Sequence, residues 1–381
     1  MLRRLDLKHF KCFERLRLPL APLTLLSGTN SSGKSSILQA LVLLQQTMRE
    51  HEWSNRLMLN GKSIRLGAVA DVVDHVHGRR SFEIGLEDGD RNYRWVFTGE
   101  RTDLSLSASE VQTEGQTIEN PKFLRFLLPP QTDEDHPALA FARRILRLTY
   151  ITAERTGPRE IYALEDRQAV NVVGPAGEHA VSVLNWGRDE AVLPELEIED
   201  VPKTRLRQVQ ERMARFFPGF AYLLDQVAHA NAVTLLIRTS EDTDFHRPVN
   251  VGFGLTQVFP IVVAALSAGK EDILLVENPG VHLHPAGQAM MGRFLAEVAR
   301  AGVQVILESH SDHILNGIRR AVKSGVIPPD RVALHFFQAR TPDDSQVISP
   351  QLDETGNIDH WPAGFFDQFD KDMDYFAGWG E

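Results

Sequence analysis

The sequence has a single cysteine, Cys12, which excludes an intramolecular disulfide and any cluster of thiolate metal ligands. It also lacks a long apolar run. No stretch approaches the roughly 18 consecutive apolar residues that a bilayer span needs, so no membrane contact is expected. The N-terminus, Met1-Leu2-Arg3-Arg4-Leu5-Asp6-Leu7, is charged and alternating and has no secretory apolar core. A cytoplasmic location is therefore expected. Histidine is plentiful, 14 residues, yet only His282 and His284 approach a metal-ligand spacing. Positive charge is in deficit, 41 Lys and Arg against 51 Asp and Glu, for a net charge of -10. Any contact with DNA would have to come from a local patch or a partner, not from the global field. At 381 residues and 43% hydrophobic, the chain can bury one extended core with an insertion, or two lobes.

Against these absences stands Gly28-Thr29-Asn30-Ser31-Ser32-Gly33-Lys34-Ser35, which fits G-x-x-x-x-G-K-[ST]. The apolar Leu23-Thr24-Leu25-Leu26-Ser27 precedes it and reads as a strand; Ser36 to Leu44 follows and reads as a helix running to about Glu50. That context is the one a phosphate loop requires. Gly28 and Gly33 let the amides of Asn30, Ser31, Ser32 and their neighbours turn inward around a β-phosphate, and the helix N-terminus beginning near Ser36 adds positive potential. Lys34 reaches the β- and γ-phosphates, and the Ser35 hydroxyl is placed for Mg2+. ATP and Mg2+ are the cofactors this implies.

Residues 2–8 and 14–27 read as two strands that deliver this loop. Ser63-Ile64-Arg65-Leu66, Phe82-Glu83-Ile84-Gly85-Leu86 and Tyr93-Arg94-Trp95-Val96-Phe97 alternate and suggest a β-meander. From about 100 to 145 the chain turns polar and reads as an inserted lobe or arm; Arg147 to Ile151 is strand-like, and 204–216 is an Arg-rich amphipathic helix. A second informative block is Ile273-Leu274-Leu275-Val276-Glu277-Asn278, a buried strand whose terminal Glu277 can hold Mg2+ through water. A helix over 287–301 follows, then the buried strand Val303 to Leu307. This strand ends in Glu308-Ser309-His310-Ser311-Asp312-His313, so its polar groups arrive at the same sheet edge as Lys34.

With these motifs in order, the chain resembles the ABC-type ATPases of the SMC, RecF and OLD group, closely over residues 1–50 and 247–340. Phe10-Lys11-Cys12-Phe13, Glu277-Asn278-Pro279 with Leu283-His284-Pro285, and Ser309-His310-Ser311 are similar to elements of that group. Asn250-Val251-Gly252-Phe253-Gly254-Leu255-Thr256-Gln257 resembles its signature loop. The ending Gly356 to Asp367 is similar to a bacterial subgroup with a small C-terminal domain. The resemblance implies an α/β P-loop fold with an N-terminal β-rich part (1–100), a central inserted lobe (101–245), a RecA-like core sheet completed by 246–340, and a small extension (341–381). It further implies a head-to-tail homodimer in which two ATP molecules lie between the phosphate loop of one copy and Gly252, Phe253, Gly254 and Gln257 of the other. His310 would then sense the γ-phosphate, and Glu308 would position it or the water.

One departure bears on mechanism. Where the group carries a glutamate that polarises water, this chain has Asn278, and an amide cannot accept the proton. Slow turnover, or turnover relying on Glu308, is expected; a scaffold that binds ATP without hydrolysing it is the alternative. Glu154, in the loop after Ile151, is a further candidate for Mg2+ or water, against an ion pair with Arg155 or Arg159. Arg143, Arg144 and Arg147, and Lys203, Arg205, Arg207, Arg212 and Arg215, supply the densest positive charge, either a phosphate-backbone face or a solvated helix. No sustained heptad pattern separates Lys34 from Glu277, which excludes a long-armed tether. The segment after Ser311 has no room for an OLD-type nuclease domain, so a nuclease is expected to be a partner effector. The resulting expectation is a nucleotide switch in DNA repair or in defence against foreign DNA.

Overall fold

The structure, a computed structural model, describes residues 1–74, 79–166, 172–338 and 346–377. In chain order the strands and helices are β1 (Leu2–Phe10), β2 (Phe13–Pro19), β3 (Leu23–Gly28), α1 (Lys34–Glu50), β4 (Arg56–Met58), α2 (Val69–Val72), β5 (Ser81–Asp88), β6 (Arg91–Thr98), β7 (Ser105–Thr113), β8 (Gln116–Glu119), α3 (Pro137–Leu146) and β9 (Thr149–Ile151). Then follow β10 (Tyr162–Ala163), α4 (Ala180–Trp186), α5 (Arg205–Phe216), β11 (Ala221–Gln226), β12 (Ala232–Arg238), α6 (Phe253–Ser267), β13 (Ile273–Glu277), α7 (Pro285–Arg300), β14 (Gln304–Glu308), α8 (Asp312–Lys323), β15 (Val332–Phe337), β16 (Val347–Ile348) and α9 (Gln368–Ala377).

The chain divides into two compact units. The first gathers Met1–Ala21, Ser35–Tyr150 and Glu271–Leu275. Its seven-stranded sheet runs β2-β1-β5-β6-β7-β4, with β8 paired to β7. The alternation seen in the sequence becomes a buried face: Phe82, Ile84 and Leu86 stand opposite Phe97, Trp95 and Tyr93. Trp95 and Tyr93 stack on Phe141 of α3, and the Trp95 indole N–H donates to Leu127 O at 2.7 Å. Helix α1 is apolar nearly all round from Ile37 to Leu44, and those residues are buried apart from Gln39, which is only partly so.

Three expectations differ from what is found here. Residues 14–27 are two strands in different sheets, broken at Leu20-Ala21-Pro22, where Pro22 has no N–H to continue a ladder. Ser63–Leu66 is a loop carrying one bridge, Asn60 to Arg65; the amide of Ile64 is taken by the Gln46 side chain of α1 at 3.0 Å. Residues 105–119 are neither lobe nor arm, since β7 and β8 extend the first sheet and α3 caps its aromatic cluster. The chain therefore does not divide at residue 100. Of the expected 101–245 and 341–381 segments, 167–171, 341–345 and 378–381 lie outside the described residues.

The second unit comprises Pro22–Lys34, Ile151–Lys270 and Val276–Glu381. It holds β16, β15, β3 and β14 of a six-stranded sheet of order β16-β15-β3-β14-β13-β9, with Ile151 of β9 and Val276 and Glu277 of β13, and a smaller antiparallel sheet, β10-β12-β11. Strand β3 is central and parallel to both β14 and β15, so its residues are buried on both faces and read as a continuous apolar run. This is the RecA-like core sheet that the sequence implied.

Truncating Trp95 to alanine removes the indole, its stacking partners and its hydrogen bond, and is expected to cost roughly 3–5 kcal/mol. Urea denaturation should show it, while Trp53→Ala, at a ring 64% exposed, should leave the midpoint nearly unchanged.

Candidate nucleotide site

Strand β3 ends at Gly28 and α1 starts at Lys34, so the intervening loop sits at the C-terminal edge of a central parallel strand, where such sheets bind ligands. Three residues of this stretch are left-handed or beyond: Gly28 at φ +137°, Ser31 at +62° and Gly33 at +102°. Gly28 is obligatory for a second reason, since a side-chain carbon there would lie 1.9 Å from Phe337 O of the adjacent β15. The Thr29 amide donates to that same carbonyl at 3.0 Å. Ser32 donates its hydroxyl to Thr29 O at 2.7 Å, and Gln346 donates its amide to Ser32 O at 3.1 Å.

Lys34 is 3% exposed, and its ammonium donates to the carbonyls of Gly28 and Thr29 at 3.1 and 2.6 Å. Burial pulls its pKa below the ordinary lysine value, opposed by the nearby Glu308 carboxylate. A buried cation at a helix N-terminus, resting on loop carbonyls, is a site that an anion completes. Ser35 and Ser36 follow in the first turn of α1. The residues present thus fit a nucleotide triphosphate chain.

Backbone hydrogen bonds tie the ends of the neighbouring strands to this loop. Ser309 N donates to Leu26 O at 3.0 Å, and Asn278 N to Glu308 O at 2.8 Å. Glu308 is buried, and His310 Nε2 stands 4.0 Å from its carboxylate. Burial first, then the positive Lys34, lower the His310 pKa, while a hydrogen bond with the Gly28 backbone raises it in part. Ser311 caps α8 by accepting from Ile314 N at 3.2 Å and donates to Gln288 of α7. On β13, Glu277 Oε2 accepts from Ala153 N at 3.2 Å, and Asn278 holds a left-handed φ of +42°. Asparagine adopts that conformation more readily than most residues.

The sequence placed Gly252, Phe253, Gly254 and Gln257 together in one loop, and the structure splits them. Gly252 caps α6, with open space where a side chain would begin; Phe253 is 46% exposed and meets the His282 ring edge-on at 4.9 Å. Gly254 lies against His282 O. Gln257 is buried instead, its amide donating to Arg155 O at 3.4 Å. Its place one helical turn past the loop turns it into its own core. His282 and His284 do not converge on a metal: the first packs on Phe253, and the second caps α7 through Ala286 N.

The loop after β9 also reverses an expectation. Glu154 is exposed and makes no ion pair with Arg155 or Arg159 among the described residues, whereas Arg155 is buried and donates to the carbonyls of Glu277 and Asn278. Sequence reasoning gave Arg155 no role of its own. Its signal was position, an arginine a few residues beyond a buried strand.

The two basic runs are largely used internally. Arg143 pairs with Glu134, Arg144 with Asp88 and Glu271, Arg147 with Asp272 and Lys203 with Glu197. Arg205 and Arg212 of α5 are buried against Glu190 and Glu297. The helix is thus neither a continuous phosphate-binding face nor a fully solvated one.

A family model described as "AAA domain, putative AbiEii toxin, Type IV TA system" matches residues 23–316, which enclose β3, the loop, β13 and β14. The chain belongs to this AAA-domain family. Residues 327–375 match a second model, described as a protein of unknown function (DUF3696). This AAA-domain chain is 26% identical over 327 residues to an OLD nuclease of Thermus scotoductus, covering 82% of the chain and 59% of that nuclease. It therefore spans little more than half the length of that relative. It is 32% identical over 87 residues to the DNA replication and repair protein RecF of Limosilactobacillus fermentum, 23% of each protein. In fold it is similar to an Smc head bound to the C-winged helix domain of ScpA, with a TM-score of 0.58, 16% identity, and coverage of 93% of this chain and 98% of that one. A Pyrococcus furiosus Smc head with an extended coiled coil gives a TM-score of 0.57 at 13% identity, covering 99% of each chain. The chain is thus a member of the AAA-domain family that is similar in sequence to an OLD nuclease and to RecF, and in fold to Smc heads.

The depressed His310 pKa means that the folded ring takes up its proton at lower pH than the unfolded ring. Its contribution to stability is intact above the ordinary imidazole value of roughly 6.5 and is lost as pH falls toward the lower folded value. His310→Gln is expected to flatten the fall in denaturation midpoint over that acidic window, and an unchanged slope would contradict it.

Proposed function

We propose that this chain is an ATP-dependent switch that closes head-to-tail on a second copy around nucleotide and hydrolyses it slowly. The observation that carries the reading is the buried Lys34 ammonium on the Gly28 and Thr29 carbonyls, a cation poised to exchange those acceptors for phosphate oxygens. In this reading Gly28, Asn30, Ser31, Ser32, Gly33, Lys34, Ser35 and Ser36 cradle the triphosphate. Ser35 and Glu277 are the residues that would hold Mg2+, which when bound neutralises charge on the β- and γ-phosphates. Gly252, Phe253 and Gly254 reach the nucleotide of the second copy, because Gly252 and Phe253 stand open at the start of α6.

Asn278 orients the attacking water but accepts no proton. Glu308, buried near His310, is a carboxylate that can, and His310 donates to or senses the γ-phosphate. Positioning and charge neutralisation carry most of phosphoryl transfer, so the missing base slows the reaction without removing it. Kinship to an OLD nuclease and to RecF supports a role in DNA repair or in defence against foreign DNA, with an effector such as a nuclease as partner. The internal pairing of the basic runs argues that DNA, if contacted, is met elsewhere than α5. Asn278 also favours a second reading, an ATP-held scaffold without turnover.

Steady-state hydrolysis separates the two. Wild type is expected to turn over slowly and Asn278→Glu about a hundredfold faster, the low end for a general base. Absence of turnover in both, with ATP still bound, would establish the scaffold. Dimerisation has its own test in Gly252→Glu, which finds open space in its own chain. It is expected to leave the fold intact and to abolish an ATP-dependent dimer in sedimentation velocity; an unchanged dimer would remove Gly252 from the interface.

A further inference from the structure

Arg155 is buried within its unit, and a single guanidinium nitrogen, Nη2, bridges two successive carbonyls, donating to Glu277 O and, at 2.9 Å, to Asn278 O. The amide of Ala153, two residues earlier, reaches the Glu277 carboxylate itself. One short loop therefore grips both the backbone and the side chain at the end of β13. The other side of the loop meets α6: Gln257 donates to Arg155 O, and Gly157 lies so close to Phe253 that an added carbon would stand 3.1 Å from its ring.

Arg155 holds this place against a cost. Its Nε and Nη1 are buried without an acceptor among the described residues, and burial lowers its pKa to about 10 despite the nearby Glu277 charge. The turn it holds is itself unusual, with Asn278 in the left-handed region directly after the acid.

We infer that Arg155 is a positioning residue that sets the Glu277–Asn278 turn and couples it to the first turn of α6. The end of β13 and the exposed Gly252-Phe253 loop then move as one piece. The functional consequence rests on the nucleotide reading above: the acid serving a chain's own site would be linked to the loop serving its partner's. The mechanical link does not depend on that reading and is measurable without nucleotide.

The test is hydrogen–deuterium exchange on the nucleotide-free full chain, comparing wild type, Arg155→Ala and Arg155→Lys. Arg155→Ala is expected to raise exchange of amides in 277–283 and in 252–258 together, by roughly tenfold, as a shared opening requires. Arg155→Lys should fall between, because its ammonium keeps the charge and can donate to a carbonyl but sits on a shorter stem than Nη2. Amides of β3 report whether the fold survives; if Arg155→Ala loses that protection, the lysine variant carries the comparison. A rise confined to 277–283, or no rise in either segment, would overturn the coupling. Failure of the protein to bind ATP would instead bear on the nucleotide reading and leave this result standing.

Discussion

A lysine ammonium taken almost wholly out of water is the constraint around which the site is organised. Two carbonyls turn toward Lys34, and the Glu308 charge offsets part of the lowering of its pKa by burial. One of those carbonyls belongs to Gly28, whose conformation and missing side chain are both dictated by Phe337 O on the next strand. The parallel pairing of β3 with β15, the loop's left-handed residues and the position of Lys34 are therefore one arrangement.

The same logic extends across the sheet edge. Hydrogen bonds from Ser309 to Leu26 and from Asn278 to Glu308 align the ends of β3, β14 and β13 so that their polar residues arrive at a common level. Glu308 is buried while His310 is exposed, and the two stand close enough to each other and to Lys34 for their charges to interact. Asn278 illustrates how backbone and chemistry compete at one position. An amide there cannot act as a base, yet it suits the left-handed turn better than a glutamate would.

Much of this was legible in the sequence because it rests on short-range patterns. The phosphate loop, the apolar runs of β3, β13 and β14 and the amphipathic α5 follow from spacing and composition alone. What escaped depended on distant partners. The Gln46 side chain takes the amide that would have made Ser63–Leu66 a strand, and two prolines divide 14–27 between sheets. Arg205 and Arg212 looked like a solvated or DNA-facing stripe because Glu190 and Glu297, which bury them, lie far away or on another helix. Glu154 drew attention for its charge while its neighbour Arg155 was the residue turned inward.

On nucleotide binding, Lys34 would exchange loop carbonyls for nucleotide phosphates. Calorimetric titration of ATP with Mg2+ into wild type and Lys34→Ala tests it most directly. Saturable binding by wild type and its loss in the variant, with the variant's denaturation midpoint retained, is the expected result. Equal affinity in the two proteins would contradict the claim and with it the assignment of the loop.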